Sequence, residues 1–162
     1  MAGLIVQRWS VKIMAALCFH EPYQIIIKPM PDVFRLRGGC FQEMKILIID
    51  DSPLMRKILK DILDEEGFEV YEAGTTQEAN ELSSTLRPEI IIKDLFMPDS
   101  DIEDSIRHFI KDNHKVKIII CTTESSREHI LKALRVGACD FILKPLNKTK
   151  VAKVISKVAF LS

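Results

Sequence analysis

The sequence predicts an α/β fold: a doubly wound five-stranded parallel sheet covered by helices on both faces, with an N-terminal extension. Three observations carry this. From residue 44 onward, short isoleucine-rich runs recur, each too brief for a helix. Longer stretches between them place apolar residues at helical spacing. The runs are solid rather than alternating, which marks strands buried on both faces and hence parallel pairing. Right-handed crossovers then give an open sheet whose site lies at the carboxyl ends of its strands.

The first strand is KILIID, 45–50. Ser52-Pro53 suits a cap and a first helical turn, and Leu54, Met55, Ile58, Ile62 and Leu63 then repeat at helical spacing until Gly67 stops the helix. A less apolar strand spans 68–73. Thr75 with Glu78 has the form of a capping box before Ala79, Leu82 and Leu86, and Pro88 ends that helix. EIIIKDLF, 89–96, is the third strand, and 101–113 carries Ile102, Ile106, Phe109 and Ile110 as a helical face. VKIIICTT, 116–123, is the fourth strand. Ser125 or Ser126 caps a helix bearing Ile130, Leu131 and Leu134, closed by Gly137. DFILKP, 140–145, holds the fifth strand, and a last helix runs from about 147 to 160.

Residues 1–43 lack this rhythm, apart from a candidate strand over 24–28. They read either as a flexible extension or as residues upstream of a true start at Met44. The unit of interest is therefore 44–162. At 162 residues and 47% hydrophobic content, the chain has enough material for one sizeable core. Basic and acidic groups balance at 23 each, so no global field favours nucleic acid or an anionic membrane. Cys18, Cys40, Cys121 and Cys139 form no CxxC pair and no zinc-ligand spacing, which fits reduced thiols in a cytoplasmic protein. No run approaches the length of a membrane span. Lys12 interrupts the apolar stretch near the start, and Leu17 stands where a signal cleavage site wants a small residue.

The chemistry gathers at the strand ends. The first ends in Asp50-Asp51, the third near Asp94, the fourth in Thr122-Thr123 and the fifth in Lys144-Pro145. The topology sends all of these to one edge of the sheet. Three carboxylates crowded there repel one another, and a hard divalent cation with oxygen ligands, such as Mg²⁺, relieves the repulsion. Lys144 adds a mobile positive charge and Thr122 a hydroxyl donor. Such a set can hold an in-line phosphoryl transfer. Taken singly, Asp51 reads equally as a helix cap, Asp94 as a turn residue, Thr122 as an ordinary strand end and Lys144 as a solvated lysine. Their coincidence in this order favours the site.

On the motifs IIDDS, KDLFMP, IIICTT and FILKP, residues 44–162 resemble the receiver domain of bacterial response regulators, of the stand-alone chemotaxis type, with its flavodoxin-like fold. The resemblance implies that Asp94 accepts a phosphoryl group as an aspartyl phosphate, donated by a sensor histidine kinase or a phosphotransfer protein. It implies that Asp50, Asp51, Asp94 and the main-chain carbonyl of Phe96 hold Mg²⁺ or Mn²⁺. Thr122 and Lys144 would meet the phosphoryl oxygens. Thr122 and Phe141 would act as the switch pair, Phe141 changing rotamer. The Lys144-Pro145 peptide would be cis. The face of the fourth helix, fifth strand and fifth helix would carry the signal to a protein target, by a population shift.

Three positions, Ile102, Lys93 and Thr123, depart from the family pattern. Ile102 stands where a glycine is usual, so the preceding loop is expected to take another path. Lys93 precedes Asp94, where small or apolar residues are usual; strand alternation points it away from the site, to snorkel past the strand edge or to tune the local field. Thr123 replaces a smaller residue. Phe96 and Glu124 occupy the two positions that govern attack by water, and the bulk of Phe96 predicts slow self-dephosphorylation. No helix-turn-helix segment or basic stripe points to DNA. His20, His108, His114 and His129 show no ligand spacing. Two rival functions stand beside the phosphorylation switch. One is a phosphorylation-independent scaffold of the same fold. The other is a phosphatase working through an aspartyl phosphate, against which Phe96 argues because it fills the place of a second acid.

Overall fold

The computed structural model of the chain describes residues 44–123 and 127–159. The predicted extension with its candidate strand, Cys18, Cys40, His20, Glu124 and the Ser125 or Ser126 cap lie outside these residues.

The described residues alternate strand and helix throughout. The strands are β1 (Lys45–Ile49), β2 (Glu69–Ala73), β3 (Ile90–Asp94), β4 (Lys117–Thr122) and β5 (Asp140–Leu143). The helices are α1 (Pro53–Glu65), α2 (Thr76–Leu86), α3 (Ile102–Asp112), α4 (Arg127–Arg135) and α5 (Lys148–Ala159). The strands form one parallel sheet in the order β2-β1-β3-β4-β5, as the solid apolar runs predict. The order reverses between β1 and β3, which opens a crevice at the carboxyl edge there.

Two hydrophobic clusters sandwich the sheet. Ile46, Ile48, Ile90, Ile92, Ile119 and Ile142 face α1 and α5, where Leu59, Leu63, Val151, Ile155 and Val158 meet them. Leu47, Ile49, Ile91, Ile118 and Ile120 face the other way, toward Ala79, Ile106, Phe109 and Ala133. Each such isoleucine removed from water contributes roughly 2 kcal/mol, which holds the central strands rigid beneath the site.

The helix starts follow the sequence closely. Ser52 caps α1, accepting from the Met55 amide at 3.4 Å, with Pro53 in the first turn. Thr75 caps α2, and Glu78 reaches back to the Gly74 amide at 2.8 Å, closing the predicted box one residue early. The helical faces differ in detail. Leu54 is 62% exposed and Leu131 48% exposed, while Leu59, Ser83 and Ala133 are buried in their helices instead. Helix α2 ends before Pro88 with Arg87 in the left-handed region, at φ 48°.

Ile102 behaves differently from a loop glycine. Asp101 caps α3 through the Glu103 and Asp104 amides, and Ile102 is the first helical residue, buried in the core. No positive φ is required of it, and its side chain contributes apolar area.

Candidate functional site

Asp50 follows β1 directly. Its amide donates to the Ala73 carbonyl at 3.2 Å, which extends the β1–β2 pairing by one step. Its Oδ1 accepts the Ser52 amide at 2.9 Å. The carboxylate is almost wholly buried, whereas that of Asp51 is exposed. Asp94 closes β3, and the next amide, of Leu95, donates to the Cys121 carbonyl at 3.0 Å. The backbone thus carries Asp50 and Asp94 to the reversal point on two adjacent buried strands.

Lys144 enters from β5. Its amide donates to the Thr122 carbonyl at 2.7 Å, and the peptide to Pro145 is cis, as the resemblance implies. Its Nζ lies 3.0 Å from Asp50 Oδ2 and 2.9 Å from Asp94 Oδ1. One ammonium therefore bridges the two buried acids. Oxygen atoms of Asp50, Asp51 and Asp94 gather within 4.8 Å of one another. One ammonium offsets one of three negative charges, and the remaining hard oxygens match the preference of Mg²⁺. The residues present fit that ion.

The protonation tendencies follow from burial opposed by this pairing. Burial raises the Asp94 carboxyl above its ordinary range, and the neighbouring Asp50 charge adds to that, while the Lys144 hydrogen bond and charge oppose it. Burial alone would lower the Lys144 ammonium, but its hydrogen bonds to Asp94 and Asp50 hold it above the ordinary value. Cys121, buried beneath the acids, is pushed up to about 12 by desolvation and stays an inert thiol.

Not every predicted member touches the acids. Thr122 is buried, but its hydroxyl donates to the Thr123 carbonyl at 3.4 Å rather than to a carboxylate. Phe141 is half-buried against the α2–α4 side of the core. Phe96 is 53% exposed and meets His129 of α4 edge-on, with ring centroids 5.4 Å apart. The two rings border a cleft of about 470 Å³ that also includes Asp51, Met97 and Pro98. A second cleft, of about 580 Å³, opens at the opposite sheet edge between Ile110, Lys117 and Gly137, remote from the acids.

Lys93 is buried along its stem. It lies on the sheet face opposite Asp94, as alternation requires, and the residue as a whole is 1% exposed, its stem buried in the sheet row. Desolvation lowers its ammonium to about 8, against the pull of Asp99, Asp94 and Asp50.

Two supporting groups escaped the sequence reading. Arg56 donates from Nη1 to the Asp50 carbonyl at 2.8 Å and to the Asp51 carbonyl at 3.4 Å, pinning the acidic pair to α1. A Cβ at Gly74 would stand 3.2 Å from that nitrogen, so the glycine makes room for the guanidinium. Asp99, in the loop before α3, accepts from the Thr76 amide at 2.6 Å and the Thr76 hydroxyl at 2.8 Å, tying that loop to α2. Both interactions use backbone groups, 5 and 6 positions from Arg56 and 23 positions from Asp99, and backbone partners leave no mark in side-chain spacing.

Comparison with known proteins bears on the same residues. The response regulator receiver domain family matches residues 46–156. The chain is 36% identical over 116 residues to the chemotaxis protein CheY of Thermotoga maritima, across 71% of this chain and 97% of that one. It is 33% identical over 114 residues to CheY of Bacillus subtilis, across 70% and 95%. Among solved structures, the chemotaxis response regulator CheY4 of Vibrio cholerae superposes with a TM-score of 0.67 at 28% identity, over 72% of this chain and 98% of that one. A family match over 46–156 and relatives at 36% and 33% identity place the chain in the response regulator receiver domain family and so in two-component phosphorelay signalling.

Proposed function

We propose that residues 44–162 form a cytoplasmic, phosphorylation-controlled switch in which Asp94 is the acceptor. The observation that carries this reading is the Lys144 ammonium, within 3.0 Å of two buried carboxylates that come from different strands. Such a group can exchange a carboxylate partner for a phosphoryl oxygen with little movement. A carboxylate oxygen of Asp94 attacks the phosphorus of a phosphohistidine on a sensor kinase or phosphotransfer protein. The O–P bond forms as the P–N bond breaks, and the imidazole nitrogen that leaves takes a proton from solvent. Burial of Asp94 favours a basic, nucleophilic oxygen, and Lys144 keeps its ionised form available. Asp50, Asp51, Asp94 and the Phe96 carbonyl would hold Mg²⁺ or Mn²⁺, which when bound supplies positive charge to the phosphoryl oxygens.

The new charge at Asp94 then competes for Thr122, whose hydroxyl holds only a long bond to the Thr123 carbonyl. Its inward movement leaves room for half-buried Phe141 on β5. The α4–β5–α5 face changes shape, and exposed Leu131 on α4 offers an apolar contact there for a protein target.

Intact mass after incubation with acetyl phosphate and Mg²⁺ tests this directly. One added phosphoryl group is expected on the wild type and none on Asp94→Asn or in EDTA. A folded wild type that stays unmodified under kinase as well as acetyl phosphate would instead identify a phosphorylation-independent scaffold.

A further inference from the structure

The two acids that follow β1 are held very differently. Asp50 is anchored at its amide by the Ala73 carbonyl and at its carboxylate by the Ser52 amide and Lys144. Asp51 sits exposed in the bend between β1 and α1. Among the described residues, its only hydrogen bond is the one its carbonyl accepts from Arg56 Nη1 at 3.4 Å. The same nitrogen donates to the Asp50 carbonyl at 2.8 Å. One guanidinium thus ties both residues of the acidic pair by their backbone.

The guanidinium is itself held in place. Arg56 stands in the first turn of α1, where its amide donates to the Ser52 carbonyl at 3.1 Å. Its side chain is 20% exposed, and Nε lies 3.7 Å from Glu72 Oε1 on β2. Gly74, one residue beyond β2, leaves the space that the fork fills: a Cβ there would stand 3.2 Å from Nη1 and 3.6 Å from Cζ. A planar fork donates in fixed directions, which the mobile ammonium of a lysine does not.

Charge and position make opposite predictions for this residue. A positive charge beside three carboxylates repels a divalent cation, so on charge alone its loss would tighten Mg²⁺ binding. A group that orients metal ligands strengthens binding, so its loss would weaken it. Asp51 has most to lose, because no other hydrogen bond among the described residues fixes the bend that carries it.

We propose that Arg56 is a positioning residue for the metal site: it holds the backbone of Asp50 and Asp51 so that both carboxylates are presented to the ion, and this outweighs the repulsion of its charge. The proposal rests on the reading of Asp50, Asp51 and Asp94 as the Mg²⁺ ligands.

The experiment is calorimetric titration of Mg²⁺ into the full chain at pH 7 and fixed ionic strength. Thermal unfolding in EDTA establishes that each variant is folded before the ion is added. Wild type is compared with Arg56→Met, Arg56→Lys, Gly74→Ala and Asp51→Asn. Arg56→Met keeps a long stem and removes the fork; it should bind Mg²⁺ about tenfold more weakly than wild type, as when a group that orients a metal ligand is lost. Arg56→Lys keeps the charge and one donor, and should recover part of that loss. Gly74→Ala keeps every charge and crowds the fork, so it should weaken binding in the same direction. Equal or tighter binding in folded Arg56→Met, with wild type binding and Asp51→Asn not, would overturn the role of Arg56 and leave the metal site standing. Where Arg56→Met fails to fold, unchanged binding in Gly74→Ala would overturn it instead. Absence of Mg²⁺ binding by wild type and variants alike would overturn the metal-site reading, and this proposal with it.

Discussion

Position 93 carries a charge where the rest of its row holds alanine, isoleucine and phenylalanine, and that choice lowers stability at neutral pH. The folded ammonium titrates near 8, below the ordinary lysine value of 10.5. Below about 8 both folded and unfolded chains hold the proton, and the whole penalty applies. Between 8 and 10.5 the unfolded chain holds it and the folded chain does not, so stability rises with pH across that window. Replacing Lys93 with methionine, similar in length and uncharged, should therefore stabilise the fold at pH 7 by roughly 3 kcal/mol. Thermal unfolding of the two proteins from pH 7 to pH 10.5 checks this: the gap is expected to close as pH rises. A constant gap would mean that packing, not charge, separates them. The sequence shows that Lys93 lies on the face away from Asp94, because period two fixes the face. It does not show depth. A lysine stem is long enough to be buried along most of its length, and only the packing of the neighbouring elements sets how much of it is covered.

Among the elements, the connection from β3 to α3 carries the largest consequence for signal lifetime. Asp94 ends the strand, Phe96 stands two positions on, and Asp101 fixes the start of α3. Phe96 leans on His129 beside the cleft that contains Asp51, where it can limit the approach of water to an acyl phosphate. Phe96→Ala should shorten the life of the phosphorylated protein several-fold while leaving its formation from acetyl phosphate intact; the decay of phosphoprotein mass in excess Mg²⁺ reads it. An unchanged decay would place the control of water elsewhere. This part of the site was legible from the spacing after Asp94, but the contact with His129 was not, since it joins the β3–α3 connection to α4, which only the fold brings together. The strands themselves were legible because each is a solid run bounded by a turn signal. The helical faces were less so. Leu131 fits the helical spacing by type, yet the turn of α4 that meets the core is set by Ile130 and Ala133, and Leu131 is left facing outward. An alanine that allows close approach gives no signal in a hydrophobic pattern.

For the whole molecule, the sheet order places strands from distant parts of the chain so that their ends meet: Asp50 and Lys144 are 94 positions apart and 3.0 Å from each other. The four strand-end motifs were readable because right-handed β-α-β crossovers leave one edge for all of them. The supports beneath them, Arg56 on the backbone carbonyls of the acidic pair and Asp99 on Thr76, were not, because backbone partners have no sequence identity to read. Folding thus creates the acid cluster, and the unfolded chain has no equivalent. A cation that binds the cluster must then stabilise the fold by mass action, by about 1.4 kcal/mol at a concentration about ten times its dissociation constant. Thermal unfolding should shift upward by several degrees between EDTA and saturating Mg²⁺, and Asp51→Asn should abolish the shift, since it removes an acidic ligand that is exposed and not part of the core. If instead Mg²⁺ moved wild type and Asp51→Asn equally, the ion would be acting on surface charge at large, and the three carboxylates would have to be explained by the Lys144 bridge alone.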